Sequence, residues 1–268
     1  MNPDDYSPIR LNKQFKFNEK QKDTLYRLAS ELRVMKQKIK YLDEIITRGG
    51  YILDILYNVE PSDIDLFYSL KNKTDCKCDE IKQVIKRLHL PLTNSKKVDL
   101  GHILPGEINI SPINKVVGPF SHHIDIPSMV CLDSEGNIWG NKKSLYCIKN
   151  KIHEINYLPW IMHFHFPYSP DNIYYRTFYT SYCRLTIRGL RMIHTKKYKR
   201  VGPNFKYHLA NWPQVLTVID KNQEWTMAIK NYIKEKSPNM NSKAFESAIN
   251  IARVKNKIEI MSHLKNYI

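Results

Sequence analysis

The chain has 268 residues, with 42 Lys and Arg against 26 Asp and Glu, a formal charge of +16 and a pI near 9.5. This excess of positive charge predicts an anionic partner. The 42% share of apolar residues is large enough for a hydrophobic core and excludes wholesale disorder. The length allows one large domain or two smaller ones, because single cores stop growing at about 250 to 300 residues.

Several classes of protein are excluded by what the sequence lacks. No stretch approaches the roughly 18 consecutive apolar residues of a membrane span, and the start of the chain is polar and charged rather than built as a signal peptide. The 5 Cys are scattered and odd in number, so they do not form a disulfide framework. We therefore expect an intracellular protein that is neither secreted nor membrane-spanning. With only 9 Gly, and without GxxxxGK[ST], GxGxxG, GxSxG or HExxH, the chain does not support a Walker-type ATPase, Rossmann enzyme, α/β-hydrolase or zincin.

The chain begins with an aperiodic segment that leads into a strongly periodic one. Residues 1–17 predict a flexible arm or an edge extension of a sheet. From Asn18, a capping residue type, apolar residues recur at alternating gaps of three and four. They are Leu25, Leu28, Leu32, Met35, Ile39 and Leu42. The pattern predicts a long amphipathic helix that packs on the core, with a dimerising coiled coil as the alternative.

A strand, a double glycine and two aspartates follow in close succession. Residues 45–48 (IITR) predict a strand that runs into Gly49 and Gly50. Asp63 and Asp65 alternate with apolar residues in a β-favouring context, which places both on one face of a strand. Two carboxylates at i and i+2 can share divalent cations, and hard oxygen ligands suit Mg²⁺. The pair is therefore a candidate metal site for two-metal phosphoryl chemistry.

Further along the chain, Asp125 is the best placed candidate for a third carboxylate in such a site. It lies in an apolar run that leads to a turn at residues 133–136 (DSEG) and another short strand, which is typical of a hairpin. Residues 96–120, which several prolines interrupt, predict a loop or a β-excursion. We expect residues 18–150 to form one α+β domain, a small mixed sheet flanked by helices.

The second half of the chain is different in character. Residues 176–206 contain nine Lys or Arg and no acid, and residues 176–194 predict a helix that carries three arginines on one face. We call the following residues the basic cluster: Arg184, Arg188, Arg191, Lys196 and Lys197. The cluster predicts binding of nucleic acid or of a triphosphate, with a solvated charged face as the alternative. The rest of this half predicts a mainly helical domain over residues 151–268, with Phe245, Ala248 and Ala252 at one apolar spacing.

Residues 49–66 (GGYILDILYNVEPSDIDL) resemble, without a gap, the GG-x-V-R-D-x-L-L-G-x-x-P-x-D-x-D-[LI] signature of the CCA-adding tRNA nucleotidyltransferases and bacterial poly(A) polymerases. That family belongs to the polymerase-β-like nucleotidyltransferases. Residues 123–140 (HIDIPSMVCLDSEGNIWG) are similar to its second conserved segment. The resemblance covers about residues 20–150 and implies the α+β nucleotidyltransferase fold. It also implies that Gly49 and Gly50 touch the nucleotide triphosphate and that Asp63 and Asp65 hold Mg²⁺ or Mn²⁺.

The chain also departs from this signature. Leu53 stands at the family's Arg, and Asn58 stands at its helix-ending Gly. Aligning the second segment backward from Gly136 places Ile124, rather than Asp125, on the family's aspartate.

The resemblance implies a metal-dependent enzyme that transfers NMP from an NTP to a hydroxyl, with an RNA 3′ end favoured as the acceptor and a protein hydroxyl as the alternative. Its partners would be an NTP and nucleic acid, with RNA favoured. The alternative is a catalytically degenerate protein that keeps the fold and binds nucleic acid or another partner without turnover. The departures favour the alternative, whereas the intact double glycine and aspartate pair favour the enzyme.

Overall fold

The computed structural model describes part of each half of the chain. The described residues are 7–59, 64–71, 98–100, 125–156, 185–195, 198–210, 220–221, 223–236, 239–252 and 265. The chain divides into two compact units, Met1–Tyr146 and Cys147–Ile268. Among the described residues, no helix combines the length and the apolar character that crossing a membrane requires.

The first unit is built on one sheet. Its strands are β1 (Ile9–Arg10), β2 (Leu42–Arg48), β3 (Ile64–Leu70), β4 (Val98–Leu100), β5 (Cys131–Leu132) and β6 (Ile138–Gly140). They form a six-stranded sheet in the order β1-β6-β5-β2-β3-β4. All neighbours are antiparallel except β3 and β4, which are parallel. The predicted small mixed sheet is therefore confirmed, and β4 shows that residues 96–120 include a β-excursion.

The long amphipathic helix is present as α1 (Glu19–Lys38). It begins at Asn18, whose side chain accepts a hydrogen bond from the N–H of Gln21 at 2.8 Å. The Gln21 side chain accepts one from the N–H of Asn18 at 3.0 Å, which completes a capping box. The predicted apolar stripe is buried, and α1 packs on β2. Because its own sheet covers this face, the core-facing helix is confirmed over the coiled coil.

The N-terminal segment is an edge extension in the part that the structure describes. Ile9 and Arg10 pair with Gly140 and Trp139 of β6. The side chain of Asn12 then donates to Gly136 O at 2.9 Å and accepts from the N–H of Ile138 at 2.8 Å. Residues 9–12 therefore follow the edge-extension alternative, because they pair with the otherwise open edge of β6.

The predicted hairpin joins β5 to β6 through a turn organised by one carboxylate. Asp133 accepts hydrogen bonds from the N–H groups of Glu135 and Asn137 at 3.0 and 2.7 Å, and from the indole of Trp139 at 2.7 Å. Gly136 adopts φ 83°, the left-handed conformation that favours glycine. The turn chemistry of residues 133–136 is thereby confirmed.

The second unit is mainly helical, as predicted. The chain enters this unit within α3 (Lys142–Asn150). The described elements that follow are β7 (Ile152–His153), a helix at residues 185–195 that we call α4, β8 (Arg200–Val201), α5 (Pro203–Ala210), α6 (Gln223–Lys236) and α7 (Ser242–Ala252). Strands β7 and β8 form a parallel pair. The apolar spacing predicted for α7 is confirmed, because Phe245, Ala248 and Ala252 are all buried.

The burial of α1 predicts a contrast between two of its residues. Leu32 is 0% exposed and Val34 is 43% exposed on the same helix. We expect Leu32→Ala to lower the free energy of unfolding by about 2–5 kcal/mol, because it leaves a cavity between α1 and the sheet. The control Val34→Ala should change it by less than about 0.5 kcal/mol. Urea denaturation of both variants measures the difference, and equal losses would contradict the packing of α1.

Candidate functional site

One residue from each strand forms a continuous row across one face of the sheet. The register pairs Arg10 with Trp139, Trp139 with Cys131, Cys131 with Arg48, Arg48 with Asp65, and Asp65 with Asp99. Residues opposite each other on neighbouring strands belong to the same face of a sheet. We call these six residues the cross-sheet row. The row crosses β2 at its last residue, directly before Gly49.

Gly49 turns the chain from β2 into the helix α2 (Gly50–Leu56). It adopts φ 84° and ψ −137°, a backbone conformation that residues with a Cβ rarely adopt. Its N–H donates to Val130 O at 2.9 Å, and its carbonyl accepts from the N–H of Leu53 at 3.1 Å. The double glycine thus has its expected place at a strand-to-helix turn. That Gly49 and Gly50 touch a triphosphate stays a prediction.

Of the predicted pair of aspartates, the structure describes one. Asp65 is half-buried in β3, opposite Arg48. Asp63 lies outside the described residues. The placement of Asp65 on the cross-sheet row puts it on the strand next to the one that enters the glycine turn.

A further acidic residue, Asp99, lies in β4 at the register position opposite Asp65. Asp99 was not predicted as a site residue. A signal was available, since residues 98–100 (VDL) repeat the apolar-acid-apolar pattern of residues 64–66 (IDL). The parallel pairing of β3 and β4 places the two aspartates at directly opposite register positions.

Asp125, the predicted third carboxylate, is buried and hydrogen-bonded to a neighbouring side chain of the same chain. It is 2% exposed, directly precedes a short 3-10 turn at Ile126–Ser128 and accepts a hydrogen bond from the Ser128 hydroxyl. Among the residues that the structure describes, no three His, Cys, Asp or Glu side chains are grouped so that they could hold a metal ion. The assignment of Asp125 to a metal site therefore stays a prediction, and Asp99 becomes its competitor.

Arg48 is a partly desolvated cation in the middle of the cross-sheet row. Its guanidinium carbon lies 3.8 Å from the centroid of the Phe67 ring. Burial lowers the pKa of Arg48, while the neighbouring Cys131 and Asp65 oppose this change. Burial also raises the pKa of Cys131 well above its usual value, so the thiol is protonated at neutral pH.

The two departures from the signature, one in α2 and one just after it, have different structural consequences. Leu53, which stands at the family's Arg, is fully buried and has become part of the core. Asn58, which stands at the helix-ending Gly, adopts φ 55° just after α2. Asn tolerates this left-handed conformation better than most residues, so the turn is preserved. Leu53 thus carries no charge where the signature has an Arg, whereas Asn58 adopts the left-handed backbone conformation that the glycine of the signature would favour.

The basic cluster is described only in part. Arg188 and Arg191 lie on α4 and are half-buried, while Leu190 between them is fully buried. Arg184, Lys196 and Lys197 lie outside the described residues. The helical placement of Arg188 and Arg191 agrees with the predicted amphipathic helix, and their role in binding stays a prediction.

The fold is similar to that of known enzymes, although the sequence is not. No protein-family model matches the chain, and no curated protein matches it. A CCA-adding enzyme solved in complex with CTP superimposes with a TM-score of 0.53 at 11% identity, covering 94% of this chain and 55% of that one. The chain has the nucleotidyltransferase fold. The Bacillus stearothermophilus CCA-adding enzyme, also in complex with CTP, superimposes with a TM-score of 0.50 at 9% identity, covering 87% of this chain and 53% of that one. The chain therefore spans little more than half the length of these enzymes.

The backbone conformation at the glycine turn predicts that its two glycines are not equivalent. Gly49→Ala forces a Cβ into a left-handed conformation and should lower the free energy of unfolding by about 1–3 kcal/mol. Gly50→Ala, at the first residue of α2, should leave stability within about 1 kcal/mol of the wild type. Thermal and urea denaturation of the matched pair measure the effect. A larger loss for Gly50→Ala would contradict the turn geometry.

Proposed function

We propose that the protein is a metal-dependent nucleotidyltransferase that transfers NMP from an NTP to a hydroxyl, with an RNA 3′ end as the acceptor. The observation that carries the proposal is the register of Asp65 and Asp99 on parallel strands. This pair lies on the cross-sheet row, beside the strand that leads into Gly49. The fold shared with two CCA-adding enzymes that were solved with CTP supports a nucleoside triphosphate as the substrate.

The acidic residues offer the ligand type that the proposed metal requires. Carboxylate oxygens are hard ligands that suit Mg²⁺ or Mn²⁺, and Asp63, Asp65 and Asp99 would supply them. The bound metal would neutralise the triphosphate and activate the attacking hydroxyl. Asp125 is the fourth candidate, and its hydrogen bond with Ser128 favours a positioning role over metal binding.

The remaining residues would bind the two substrates. Gly49 and Gly50 would let the backbone at the start of α2 approach the triphosphate closely, because neither residue has a Cβ. The basic cluster would hold the phosphate backbone of the RNA acceptor, since Arg forks match phosphate oxygens. A chain with a formal charge of +16 attracts such a polyanion at long range.

The burial of Leu53 favours a second candidate function. A position that carries an Arg in the resembling family is here a 0% exposed core residue, so one cation is lost from the region of the site. A protein that kept the fold and the positive surface, but not the turnover, would bind RNA without modifying it. Binding of RNA without NMP transfer would therefore distinguish this function from the enzyme.

The proposed function predicts that Asp65 and Asp99 are each essential. We expect the wild type to add label from at least one NTP to short RNAs in Mg²⁺ or Mn²⁺. Asp65→Asn and Asp99→Asn should each lower the rate by about 100-fold or more, because each removes a charge that the metal requires. Asp125→Asn is the matched comparison. It should retain much more of the rate if Asp99, rather than Asp125, completes the site.

Two outcomes of this assay would overturn parts of the proposal. If Asp125→Asn is as inactive as Asp65→Asn while Asp99→Asn is active, then Asp125 is the third carboxylate. The second outcome combines the assay with a measurement of RNA binding. If the wild type incorporates no NTP, while wild type and Asp65→Asn bind RNA equally and with the same salt dependence, the protein binds RNA and is not a nucleotidyltransferase.

The assignment of the acceptor to the basic cluster is tested by charge removal on α4. The double substitution Arg188→Gln/Arg191→Gln should weaken binding of single-stranded RNA and reduce the slope of log K against log salt by about 0.7 for each phosphate that the variant no longer neutralises. Lys230→Gln/Lys234→Gln removes the same charge from exposed positions of α6. Filter binding at several salt concentrations compares the two variants. An equal effect of both would indicate general charge attraction rather than a site on α4.

A further inference from the structure

Arg48 is the cation of the cross-sheet row that lies between Cys131 and Asp65. Arg48 is half-buried at the end of β2, and its Nε atom is buried without a hydrogen-bond partner among the described residues. Within the same described part of the chain, none of the ion pairs closer than 4.0 Å involves Arg48. Removing a guanidinium from water is costly unless its donors are paired, and the half-buried Asp65 across the ladder leaves Nε without a hydrogen bond among the described residues, so this position favours a further anion.

The ring contact of Arg48 holds the side chain while its Nε donor has no hydrogen-bond partner among the described residues. The guanidinium lies over the Phe67 ring, with 3.8 Å between its carbon and the ring centroid. Stacking on an aromatic face uses the plane of the guanidinium and leaves the N–H groups at its edge for other partners. The planar guanidinium of Arg48 thus keeps an edge that suits the oxygens of a phosphate.

The position of Arg48 along the chain also points to a phosphate. It directly precedes Gly49, the residue that turns the chain into α2, and it lies opposite Asp65 on β3. A triphosphate bound between the glycine turn and a metal on Asp65 would lie beside this side chain. Leu53, at the arginine position of the resembling signature, is buried and supplies no charge. The guanidinium of this site would thus come from the end of β2 instead of from α2.

We propose that Arg48 is a substrate-binding residue whose guanidinium binds the triphosphate of the NTP. This inference rests on the proposed function, because it takes the triphosphate to be the anion that completes the site. It assigns recognition to the phosphate groups that all NTPs share, so Arg48 would contribute to affinity for the triphosphate and not to the choice of base.

Calorimetric titration with Mg²⁺ and two probes tests the assignment. The probes are CTP and inorganic tripolyphosphate, which carries the phosphate groups without the nucleoside. We expect Arg48→Met to weaken binding of both probes by at least about tenfold, since hydrogen bonds to charged groups are among the stronger ones. Arg48→Lys should bind with intermediate affinity, because it keeps the charge and loses the fork. Arg33→Met, at an exposed position of α1, is the matched control and should bind as the wild type does.

Thermal unfolding supplies a readout that a merely structural role would not give. Tripolyphosphate with Mg²⁺ should raise the Tm of the wild type and of Arg33→Met, but not that of Arg48→Met. If Arg48 only pairs with Asp65, then Arg48→Met should instead lower the Tm and keep the stabilisation by tripolyphosphate. That second pattern would overturn the inference.

The failure of this inference can be told apart from the failure of the proposed function. Unchanged binding of both probes by Arg48→Met, together with NMP transfer by the wild type, would overturn the role of Arg48 alone. Loss of probe binding in Arg48→Met, with no NMP transfer by the wild type for any NTP, would support Arg48 and overturn the enzyme. Failure of the wild type to bind either probe would overturn both.

Discussion

The structure of the site depends on the double pairing of β2. Its last two residues, Thr47 and Arg48, are held in register on both sides, by β3 and by β5. A strand paired on both sides can neither slip nor twist independently of its neighbours, because a shift of one residue would exchange the two faces of the sheet. The direction in which the chain leaves β2 is therefore fixed, and with it the place of the glycine turn. Asp65 and Asp99 take their positions from the same ladder.

The helix that follows this turn is too short to be stable alone and is held at both of its ends. At the start of α2, Gly49 is bound to Val130 of the neighbouring segment through its N–H. At the other end, the buried side chain of Gln21 donates to Ile55 O at 2.6 Å. Isolated helices below about 12 residues are marginal in water, so tertiary contacts of this kind must supply the stability of α2. The start of α1 and the end of α2 are thereby tied together by hydrogen bonds.

The sequence predicted those elements whose formation depends on residues close together in the chain. The stripe of α1, the turn around Asp133 and the spacing in α7 each depend on residues within a few positions of one another. The edge strand β1 has only two residues, too few for any periodicity. Asp99 was missed for a different reason, because its significance comes from pairing with a strand that is distant in the sequence. Arg48 was predicted as a strand residue, but only the packing on Phe67 and the register with Asp65 show that it is a desolvated cation in the row.

Cys131 lies in the middle of the cross-sheet row, between Trp139 and Arg48, with its thiol fully buried and protonated. Since the thiolate is the reactive form, this sulfur is protected from oxidants and alkylating agents as long as the sheet is closed. Modification must wait until β5 separates from its neighbours, a local opening with its own free energy. The rate at which Cys131 is labelled would therefore report how often the sheet opens locally at β5, the strand paired with the end of β2.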